Sequence, residues 1–600
     1  MPNTSARRDF AGDLRLRLVA VAAVIGLLST VAALLLLNLI RFFTNLFFFQ
    51  TLSLAEHSPA SNTLGAWVVL VPVLGGVIVG LMARFGSEKI RGHGIPEAIE
   101  AILFGSSKMS PKVAVLKPLS SGIAIGSGGP FGAEGPIIMT GGAVGSLVAQ
   151  FLHLTGAERK TLLVAGAVAG MTAIFGTPLA AVLMAVELLL FELRPRSLLP
   201  VAVACAVAGF ARKLVLEGGP LFPLSSMAPD LPVLAGCLMA GIAAGALAWL
   251  LSTSLYRVED WFHKLPLHWM WWPALGGLAV GIGGYFQPRA LGVGYDVIGD
   301  LLHNHLALGV LLGLLACKAV MWVLALGSGT SGGVLAPLLM LGAGLGAILA
   351  PYMPGHDPAL WPLVFMAATL GGMMRAPIMA SVFALELTYD VNAVLPLLAA
   401  SSVAYGFTVL TMRRSILTEK IARRGHHIYR EYGIDPLERH NVAEVMTHSP
   451  LCIDAGAALA EVLDTHFGAQ QRHRAFPVTR DGALAGMLDR ETAMQALQAN
   501  HLASVGELFG VNAPIIALAG ESCRSVATRL AVHALERLPV VADAQSLRLI
   551  GLISRSDLIK PSLTLFDEEH QRQRFRKPLF SGQLAVKPQT GADGGNGSQA

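Results

Sequence analysis

The chain has 600 residues, of which 54% are hydrophobic and only 14% are charged, and its formal net charge is +5. Ordinary soluble domains carry about 25% charged residues. The composition therefore excludes a purely soluble protein and predicts an integral membrane protein. Because the positive charge is concentrated beside apolar runs, we expect no nucleic-acid partner.

The first elements of the chain are a basic segment, residues 1–13, and long apolar runs. Uncharged runs that can cross a hydrocarbon core of about 30 Å are Leu18–Ile40, Trp67–Ala83, Leu231–Tyr256 and Leu306–Cys317. Many other runs are shorter, which predicts tilted and re-entrant helices whose ends are buried in protein. Basic residues beside the first span and after Met412 predict that both termini are cytoplasmic, in a bacterial inner (plasma) membrane.

A glycine-rich loop follows at Gly126–Pro136, and it places one carboxylate, Glu134, among five glycines and two prolines. Such a loop exposes backbone N–H groups. We expect a helix after Pro136, with the positive end of its dipole directed at the loop. The pattern predicts an anion site. The alternative is that Glu134 only caps the helix.

The same pattern recurs at Gly327–Pro337, 201 residues later. A second pair of segments, Thr177–Leu188 and Ala376–Leu387, each carries a glutamate nine residues after a proline. These matches predict an internal duplication within residues 14–425, with halves at roughly 14–215 and 230–425. Duplicated halves with Gly/Pro-interrupted helices are typical of transporters whose substrate site lies at the membrane midplane.

Four motifs, Gly92–Pro96, Gly132–Pro136, Gly292–Ile298 and Gly333–Pro337, occur in the order found in the CLC family of chloride channels and chloride/proton exchangers. The chain resembles that family over residues 14–425. The resemblance implies an all-α polytopic membrane protein with two inverted-topology repeats and re-entrant helices. It also implies a homodimer in the lipid bilayer with one pore per subunit. The expected function is transport of chloride, either as a passive channel or by exchange with protons, without enzymatic activity or a required cofactor.

By the same resemblance, Glu134 is the gating glutamate, which occupies an anion site when deprotonated and leaves it when protonated. The implied anion-binding residues are Gly92, His93, Gly94, Ile95, Pro96, Gly132, Ala133, Gly135, Val334, Leu335 and Leu417. Backbone amides of Gly92 and His93 would face an inner chloride site, and those of Val334 and Leu335 a central one.

Two positions depart from the family pattern. His93 stands where the family usually has a serine, and Leu417 stands where it has a pore tyrosine. Without these hydroxyls we expect a weaker or differently selective site, so nitrate, bromide and fluoride are alternative anions. Fluoride fits less well because the fluoride-specialised branch departs from the Glu-Gly-Pro pattern kept here. The His93 ring is either a titrating donor to the permeant ion or turned away from it.

Exchangers of the family relay protons through a second glutamate near the cytoplasmic face. An ungapped alignment places Leu188 at that position, so Glu187 and Glu192 are the proton-relay candidates. Glu187 and Glu386 are repeat equivalents, and the favoured interpretation of Glu187 is that it satisfies a helix end. Three cations in the apolar region, Lys117, Lys318 and Arg375, are expected either to pair with such carboxylates or to attract anions.

After Met412 the sequence becomes polar, and residues 435–562 contain a further repeat. Phe476-Pro-Val with Gly486–Thr492 matches Leu538-Pro-Val with Gly551–Asp557. This region resembles a tandem CBS pair, a small cytosolic α/β module. The resemblance implies either one adenine-nucleotide site, at Asp557, or a purely structural role in dimerisation, which is the favoured interpretation.

The tail at residues 577–600 is predicted to be disordered because it is polar and small in composition. We predict no metal site, and a surface role for the histidines at 303, 305, 426 and 427. A function from another class, a nucleotide-sensing membrane regulator without ion flux, remains as the alternative to transport.

Overall fold

The computed structural model describes residues 12–216, 218–303, 305–355, 357–426, 436–468, 471, 473–498, 504–509 and 514–561. They form two compact units. One contains residues 12–190 and 194–426, and the other contains residues 191–193 and 436–561. The expectations for residues 1–11 and for the tail at 577–600 lie outside the described part of the chain.

The larger unit is helical. Its α-helices are α1 (Gly12–Phe49), α2 (Leu70–Phe85), α3 (Ile95–Leu103), α4 (Pro111–Gly126), α5 (Glu134–Phe151), α6 (Gly156–Phe175), α7 (Pro178–Met184), α8 (Pro195–Val215), α9 (Leu231–His263), α10 (Trp272–Phe286), α11 (Tyr295–Leu302), α12 (Leu308–Gly327), α13 (Leu335–Leu349), α14 (Leu360–Met374), α15 (Pro377–Thr388), α16 (Val394–Thr411) and α17 (Ile416–Arg423). A π-helix at Ala185–Leu190 follows α7. Short 3₁₀ helices lie at Pro59–Ser61, Gly65–Val69, Glu88–Ile90, Trp269–Trp271, Pro288–Ala290, Ala350–Tyr352 and Val391–Ala393.

Helices α1–α8 recur in order and approximate length as α9–α16. Within the described residues, seven helical segments are long and apolar enough to cross a membrane. The short α3, α7 and α11 are not, because a helix rises only about 1.5 Å per residue. Each has one terminal residue fully buried in the unit, as expected for re-entrant helices: Ile95 in α3, Met184 in α7 and Leu302 in α11. The predicted all-α membrane fold with two repeats is confirmed.

Two predicted boundaries were wrong. The span expected at Leu306–Cys317 is α12, which continues to Gly327 because Lys318 is fully buried in protein rather than marking a membrane surface. Helix α5 begins at Glu134, two residues before Pro136. The proline lies in the first turn, where the missing N–H has no intrahelical partner to lose. The carboxylate is therefore on the first residue of the helix.

The smaller unit combines short helices with two sheets. The helices are α18 (Pro436–Arg439), α19 (Val442–Val445), α20 (Leu459–Phe467), α21 (Arg490–Gln498) and α22 (Cys523–Val532), with 3₁₀ helices at Val505–Leu508 and Asp557–Ile559. The strands are β1 (Thr447–His448), β2 (Ile453–Asp454), β3 (Ala475–Arg480), β4 (Ala483–Asp489), β5 (Ala517–Leu518), β6 (Arg537–Val541) and β7 (Leu549–Ser554). The predicted small α/β region is confirmed.

The two sheets have equivalent centres. One has the order β2-β3-β4 and the other the order β1-β7-β6-β5. In each, a parallel pair (β2 with β3, β5 with β6) adjoins an antiparallel hairpin (β3 with β4, β6 with β7). Each sheet packs its helices around a separate apolar core, one centred on Val478 and Leu488 and the other on Val540 and Ile553. The repeat in the sequence is thus a structural duplication.

Candidate functional site

The two glycine-rich loops of the membrane unit meet each other. Gly333 N–H donates to the Gly132 carbonyl at 2.9 Å, and Gly132 N–H donates to the Gly333 carbonyl at 3.4 Å. A second bridge joins Gly92 to Ser331. These contacts bring the N-terminal ends of α5 and α13 together, one from each repeat. Both helix ends carry partial positive charge, so the junction favours a negative group.

The side chain of Glu134 lies at this junction and is fully buried. Its Oε1 atom accepts a hydrogen bond of 2.9 Å from the N–H of Ala336, in the first turn of α13. Its Oε2 atom has no hydrogen-bond partner among the described residues. The carboxylate of one repeat thus binds the helix N-terminus of the other, where a free anion would find the same donor.

Missing side chains make room for this carboxylate. A Cβ atom on Gly132 would lie 1.9 Å from Glu134 Oε2 and 2.1 Å from Oε1. A Cβ atom on Gly333 would lie 2.4 Å from Oε2 and 2.5 Å from the Gly132 carbonyl oxygen. Any residue but glycine at these two positions would collide with the carboxylate. The glycines therefore line the volume that the Glu134 carboxylate occupies.

The segment Gly92–Pro96 packs against the same junction. A Cβ atom on Gly135 would lie 1.8 Å from the His93 carbonyl oxygen, and one on Gly94 would lie 2.7 Å from the Gly135 carbonyl oxygen. Gly94 caps α3 with a positive φ of 88°, a conformation that favours glycine. The segment is thus in direct contact with the residue after Glu134.

Two backbone amides expected to bind the anion are engaged in this conformation. The N–H of Gly94 donates to Glu97 Oε2 at 3.0 Å, and the N–H of Gly132 donates to Gly333. Ala336, which was not expected to take part, supplies the donor that Glu134 uses. The neighbouring Val334 and Leu335 are buried at the start of α13, and Ile95 and Pro96 at the start of α3.

The buried lysines bind carbonyl oxygens, so the first of the two expected roles, pairing with carboxylates, is wrong for them, and the second, attraction of anions, stays a prediction. Lys117 Nζ donates to Ile90 O and Gly92 O at 2.8 Å each and to Ser331 Oγ at 3.0 Å. Lys318 Nζ, its repeat equivalent, donates to Ala290 O at 3.1 Å and Gly292 O at 2.7 Å. Each ammonium fixes the loop before a short helix. Arg375 likewise donates to the carbonyls of Thr408 and Met412.

A cavity of about 680 Å³ opens next to the Gly92–Pro96 segment. His93 lines it, is only 3% exposed, and has no hydrogen-bond partner at either ring nitrogen among the described residues. Glu97 also lines it and forms ion pairs with Lys420 at 3.0 Å and Arg424 at 3.1 Å. Arg424 pairs with Glu100 as well. Two cations of the cavity wall, Lys420 and Arg424, therefore share one buried carboxylate.

Leu417, which replaces the pore tyrosine of the family, is fully buried in α17. Tyr256, from α9, lines the same cavity as His93. Its hydroxyl donates a 2.5 Å hydrogen bond to the carbonyl of Ile416, and Arg423 lies 4.8 Å from the centre of its ring. A tyrosine hydroxyl is thus present near Leu417, but it holds the helix start rather than facing an anion.

The relay candidates occupy different places. Glu187 lies in the π-helix after α7, and its Oε2 atom accepts a 3.1 Å hydrogen bond from the N–H of Met379. Leu188 is buried beside it. Glu192 lies half-buried in the connection to α8. The proton-relay role of either glutamate stays a prediction.

In the smaller unit, Asp557 is almost fully buried and its carboxylate is engaged locally. It accepts hydrogen bonds from the N–H of Ser554 at 2.8 Å and from the Ser554 hydroxyl at 2.6 Å, and it pairs with Lys560 at 2.7 Å. A cleft of about 510 Å³ in the first copy is lined instead by residues that include Asp454, Arg480 and Glu507. Nucleotide binding at Asp557 stays a prediction.

Within the described part of the chain there is no cluster of three or more His, Cys, Asp or Glu residues that could hold a metal ion. The rings of His303 and His305 stack on each other at 5.5 Å, and His426 stacks on Phe104 at 4.3 Å. The neighbouring His427 lies outside the described residues.

Four residues of the cavity were not predicted from the sequence: Glu97, Lys420, Arg424 and Tyr256. One signal was available: Glu97 follows the Gly92–Pro96 motif at the third position of its helix, where a glutamate reaches back to the N-cap amide. The others come from helices far along the chain, and no local pattern marks them.

Comparison with known proteins agrees with this geometry. A sequence profile described as voltage gated chloride channel matches residues 74–409, and the CBS domain profile matches residues 442–499 and 505–563. The voltage-gated ClC-type chloride channel ClcB of Citrobacter koseri is 30% identical over 362 residues, which cover 58% of this chain and 85% of the relative. The H(+)/Cl(-) exchange transporter ClcA of Salmonella paratyphi A is 28% identical over 411 residues, which cover 64% and 83%.

Solved structures share the fold. A slow cyanobacterial Cl−/H+ antiporter superimposes with a TM-score of 0.61 and 22% identity, covering 68% of this chain and 98% of that one. A eukaryotic CLC transporter superimposes with a TM-score of 0.60 and 19% identity, covering 91% and 99%. With a family profile that spans more than half of its length, and with paired glycine loops around a buried glutamate, the chain belongs to the CLC family of voltage-gated chloride channels and transporters and carries two CBS domains.

Proposed function

We propose that the chain transports chloride across the membrane and that Glu134 is the gate. The observation that carries the proposal is the hydrogen bond between Glu134 Oε1 and Ala336 N–H in a volume lined by Gly132 and Gly333. A deprotonated carboxylate competes with an anion for this donor and for the positive helix end. Protonation removes the negative charge and with it the competition, so the site becomes available to the permeant ion.

Chloride is favoured among monovalent anions by the relatives rather than by the donor groups. ClcB of Citrobacter koseri is described as a chloride channel and ClcA of Salmonella paratyphi A as an H(+)/Cl(-) exchange transporter. Backbone N–H groups distinguish poorly between chloride, bromide and nitrate. The replacement of two hydroxyls by His93 and Leu417 therefore predicts a selectivity that differs from relatives with serine and tyrosine there.

The gate serves either a passive channel or a proton-coupled exchanger. Exchange requires a route for protons from the inner face to Glu134. The hydrophobic Leu188 at the usual relay position weighs against the family's route. Glu187 and Glu192 are the remaining candidates for a proton relay. Of these, Glu187 already accepts a hydrogen bond from the N–H of Met379.

We further propose a homodimer in a bacterial inner membrane with both termini in the cytoplasm. Bacterial relatives and basic residues at the flanks of the membrane region support this placement. The CBS pair would then be cytoplasmic and regulate transport, with an adenine nucleotide at Asp557 as the candidate ligand. The burial of Asp557 against Ser554 and Lys560 means that a nucleotide would have to compete with these contacts.

The test is simultaneous measurement of chloride and proton flux in proteoliposomes. Chloride efflux driving proton movement, with the coupling lost in Glu134→Ala, would establish an exchanger. Chloride efflux without proton movement would establish a channel. A matched control is Glu56→Ala, since Glu56 is exposed and pairs only at the surface with Arg41. Absence of flux in the unmodified chain, with a nucleotide-dependent change in its protease sensitivity, would contradict transport and favour the regulator alternative.

A further inference from the structure

Half of the tryptophans lie in one short stretch of the membrane unit. The chain contains eight, and four of them, Trp261, Trp269, Trp271 and Trp272, lie where α9 ends and α10 begins. Trp272 is buried and fixes this α9–α10 turn, residues 261–272, by donating its indole N–H to the Leu267 carbonyl at 3.0 Å. Trp261 and Trp271 are instead 54% and 45% exposed. Because tryptophan is enriched at membrane–water boundaries, the turn marks a membrane surface.

The exposed face of α9 changes from apolar to cationic as the helix approaches this turn. Leu250, Arg257 and Trp261 are all exposed, and their spacing of seven and four residues places them on one face of the helix. Lys264, the residue after α9, is exposed as well. The helix is long and apolar enough to cross a membrane. Its exposed face thus ends in two cations on either side of a tryptophan.

The last turn of α2 adds a third cation. A Cβ atom on Gly80 would lie 2.1 Å from the Met270 carbonyl oxygen, so α2 packs directly on the α9–α10 turn. Arg84 follows Gly80 by four residues and therefore lies on the same side of α2. It is exposed, and so is its neighbour Phe85. The end of α2 thus combines a cation with an exposed aromatic ring beside the turn.

Nearby carboxylates do not neutralise these cations. Glu88 pairs with Arg91 at 3.1 Å, and Asp260 pairs with Arg423 at 2.5 Å. Glu259 is half-buried and lines the cavity.

Among the described residues, Arg84, Arg257 and Lys264 form no ion pair. Cations beside exposed tryptophans at the end of a membrane-spanning helix are complementary to an anionic phospholipid. Its phosphate accepts charge-assisted hydrogen bonds, and its acyl chains cover the apolar face.

We propose that the α9–α10 turn and the end of α2 bind one anionic phospholipid from the surrounding bilayer. Its phosphate accepts hydrogen bonds from Arg257 and Lys264, and Arg84 adds positive charge from α2. The indole N–H of Trp261 donates to an ester oxygen, and an acyl chain lies along Leu250.

Two other ligands fit this surface less well. A zwitterionic phospholipid would place its own ammonium group among three cations. A soluble phosphate would leave the apolar face of α9 uncovered. The inference goes beyond transport, and it holds for a channel and for an exchanger alike.

The test is native mass spectrometry of the full chain, released from detergent micelles that contain equal amounts of dioleoyl phosphatidylglycerol and dioleoyl phosphatidylcholine. We expect the chain to retain phosphatidylglycerol in several-fold preference to phosphatidylcholine. The double variant Arg257→Gln with Lys264→Gln should lose most of this preference, by up to about fivefold for each cation removed. Trp261→Leu keeps an apolar side chain but removes the indole N–H, so it should retain less phosphatidylglycerol.

The matched control is Lys112→Gln, because Lys112 is an exposed cation in the first turn of α4, in a stretch of sequence without tryptophan. Its preference should equal that of the unmodified chain. All the substituted side chains are exposed or half-exposed at the surface, and size-exclusion chromatography verifies that each variant is folded.

Equal retention of the two lipids by the unmodified chain would overturn the proposal, as would an unchanged preference in the double variant. Displacement of the phospholipid by millimolar glycerol phosphate would assign the cations to a soluble phosphate instead. A preference that is lost only when a dimer dissociates would assign this surface to a second copy of the chain. Both of these results would also overturn the proposal.

Discussion

Glu187 and Glu386 each cap the N-terminus of a helix in the opposite repeat. Glu187 accepts a 3.1 Å hydrogen bond from Met379 N–H, in the first turn of α15. Glu386, near the end of α15, accepts bonds of 2.9 and 2.8 Å from the N–H groups of Leu179 and Ala180, in the first turn of α7. Each carboxylate thus satisfies the free N–H groups at the start of the helix in the other repeat.

This reciprocity predicts that Glu187 and Glu386 contribute to stability in similar ways. Glu187→Gln and Glu386→Gln should each lower the free energy of unfolding in detergent by about 1 kcal/mol, because the amide oxygen can still accept an N–H but the negative charge that strengthens the hydrogen bond is removed. Neither should change the ratio of chloride to proton flux. Glu192→Gln, the other relay candidate, is the comparison. A loss of proton coupling in Glu187→Gln but not in Glu386→Gln would show that Glu187 is a relay rather than a cap.

The volume at Gly132 gives a second prediction. Because a Cβ atom there would lie within 2.1 Å of both Glu134 carboxylate oxygens, Gly132→Ala should displace this flexible side chain from the Ala336 amide. Chloride flux should then lose its pH dependence, as in Glu134→Ala. The measurement is chloride efflux from proteoliposomes between pH 4.5 and 7.5.

The control for Gly132→Ala is Gly299→Ala in α11, where no atom lies within 4 Å of the added Cβ. It should leave the pH dependence of chloride flux intact, because the added methyl group meets no neighbour. It should not destabilise α11, since alanine favours a helix over glycine by about 1 kcal/mol. Gly333→Ala should be more harmful to folding than Gly132→Ala, because its Cβ also meets backbone atoms of Gly132. Unchanged pH dependence in Gly132→Ala would argue against the proposed seat of the gate.

Substitution of Lys117 or Lys318 is expected to lower the stability of the fold for the same reason. Substitution of either by methionine leaves two buried carbonyls without their donor, and each unsatisfied group costs about 1–3 kcal/mol. Both variants should therefore be less stable than the exposed-site control Lys112→Met. Only Lys117→Met should also change chloride affinity from the inner side, because Lys117 holds the carbonyl of Gly92 beside His93. Equal effects of both lysines on inner-side affinity would contradict this.

The sequence predicted the duplication, the two glycine loops and the position of Glu134 because these depend on local pattern. It could not predict the partners of Lys117 and Lys318. A lysine in an apolar run suggests a carboxylate partner, but here the loop before each short helix presents carbonyl oxygens that have no helical donor. Only the three-dimensional path of the chain shows this.

The same limit applies to the cavity. Tyr256 reaches the start of α17 from a helix 160 residues earlier in the chain, and no motif connects the two. Among the described residues the His93 ring nitrogens have no hydrogen-bond partner, and this too is a property of the packed structure. The sequence showed an unusual residue in a known motif, but whether its ring faced protein or cavity depended on the surrounding helices.

Asp557 gives a pH prediction for the CBS region. Burial acts to raise the pKa of this carboxyl, but hydrogen bonds from Lys560 and Ser554 outweigh it, so the pKa lies below its ordinary value. A lowered pKa stabilises the fold above the unfolded value of about 3.9, and this contribution is lost as the pH falls through the folded pKa. Asp557→Asn should therefore reduce hydrogen-exchange protection at Ser554 by a constant factor from pH 8 to 5.

As the pH falls below about 4 and then through the lower pKa of the folded state, the difference between the unmodified chain and Asp557→Asn should shrink, because the carboxyl is protonated first in the unfolded and then in the native state. Asp489→Asn is the matched control: Asp489 accepts a 2.7 Å hydrogen bond from Thr492 N–H at the corresponding turn of the first copy. The loss of hydrogen-exchange protection in Asp489→Asn should be confined to that turn. A difference at Ser554 that grows on acidification would contradict the assigned hydrogen bonds.

Glu97 provides the last prediction. Glu97→Gln keeps an oxygen that can accept the Gly94 N–H, but it removes the negative charge that Lys420 and Arg424 share. The positive potential of the cavity should rise, and the chloride concentration for half-maximal flux from the inner side should fall several-fold at low ionic strength. With gluconate as the added salt, the effect should weaken towards 1 M, where the Debye length is about 3 Å.

The control for Glu97→Gln is Glu88→Gln, because Glu88 lines the same cavity and pairs with Arg91 at 3.1 Å but is 69% exposed. An exposed charge is screened by solvent, so its removal should change the half-maximal concentration much less. Equal shifts in the two variants would mean that the anion responds only to the net charge of the cavity. A larger shift in Glu97→Gln would mean that the anion binds close to Lys420, at the mouth formed by Gly92 and His93.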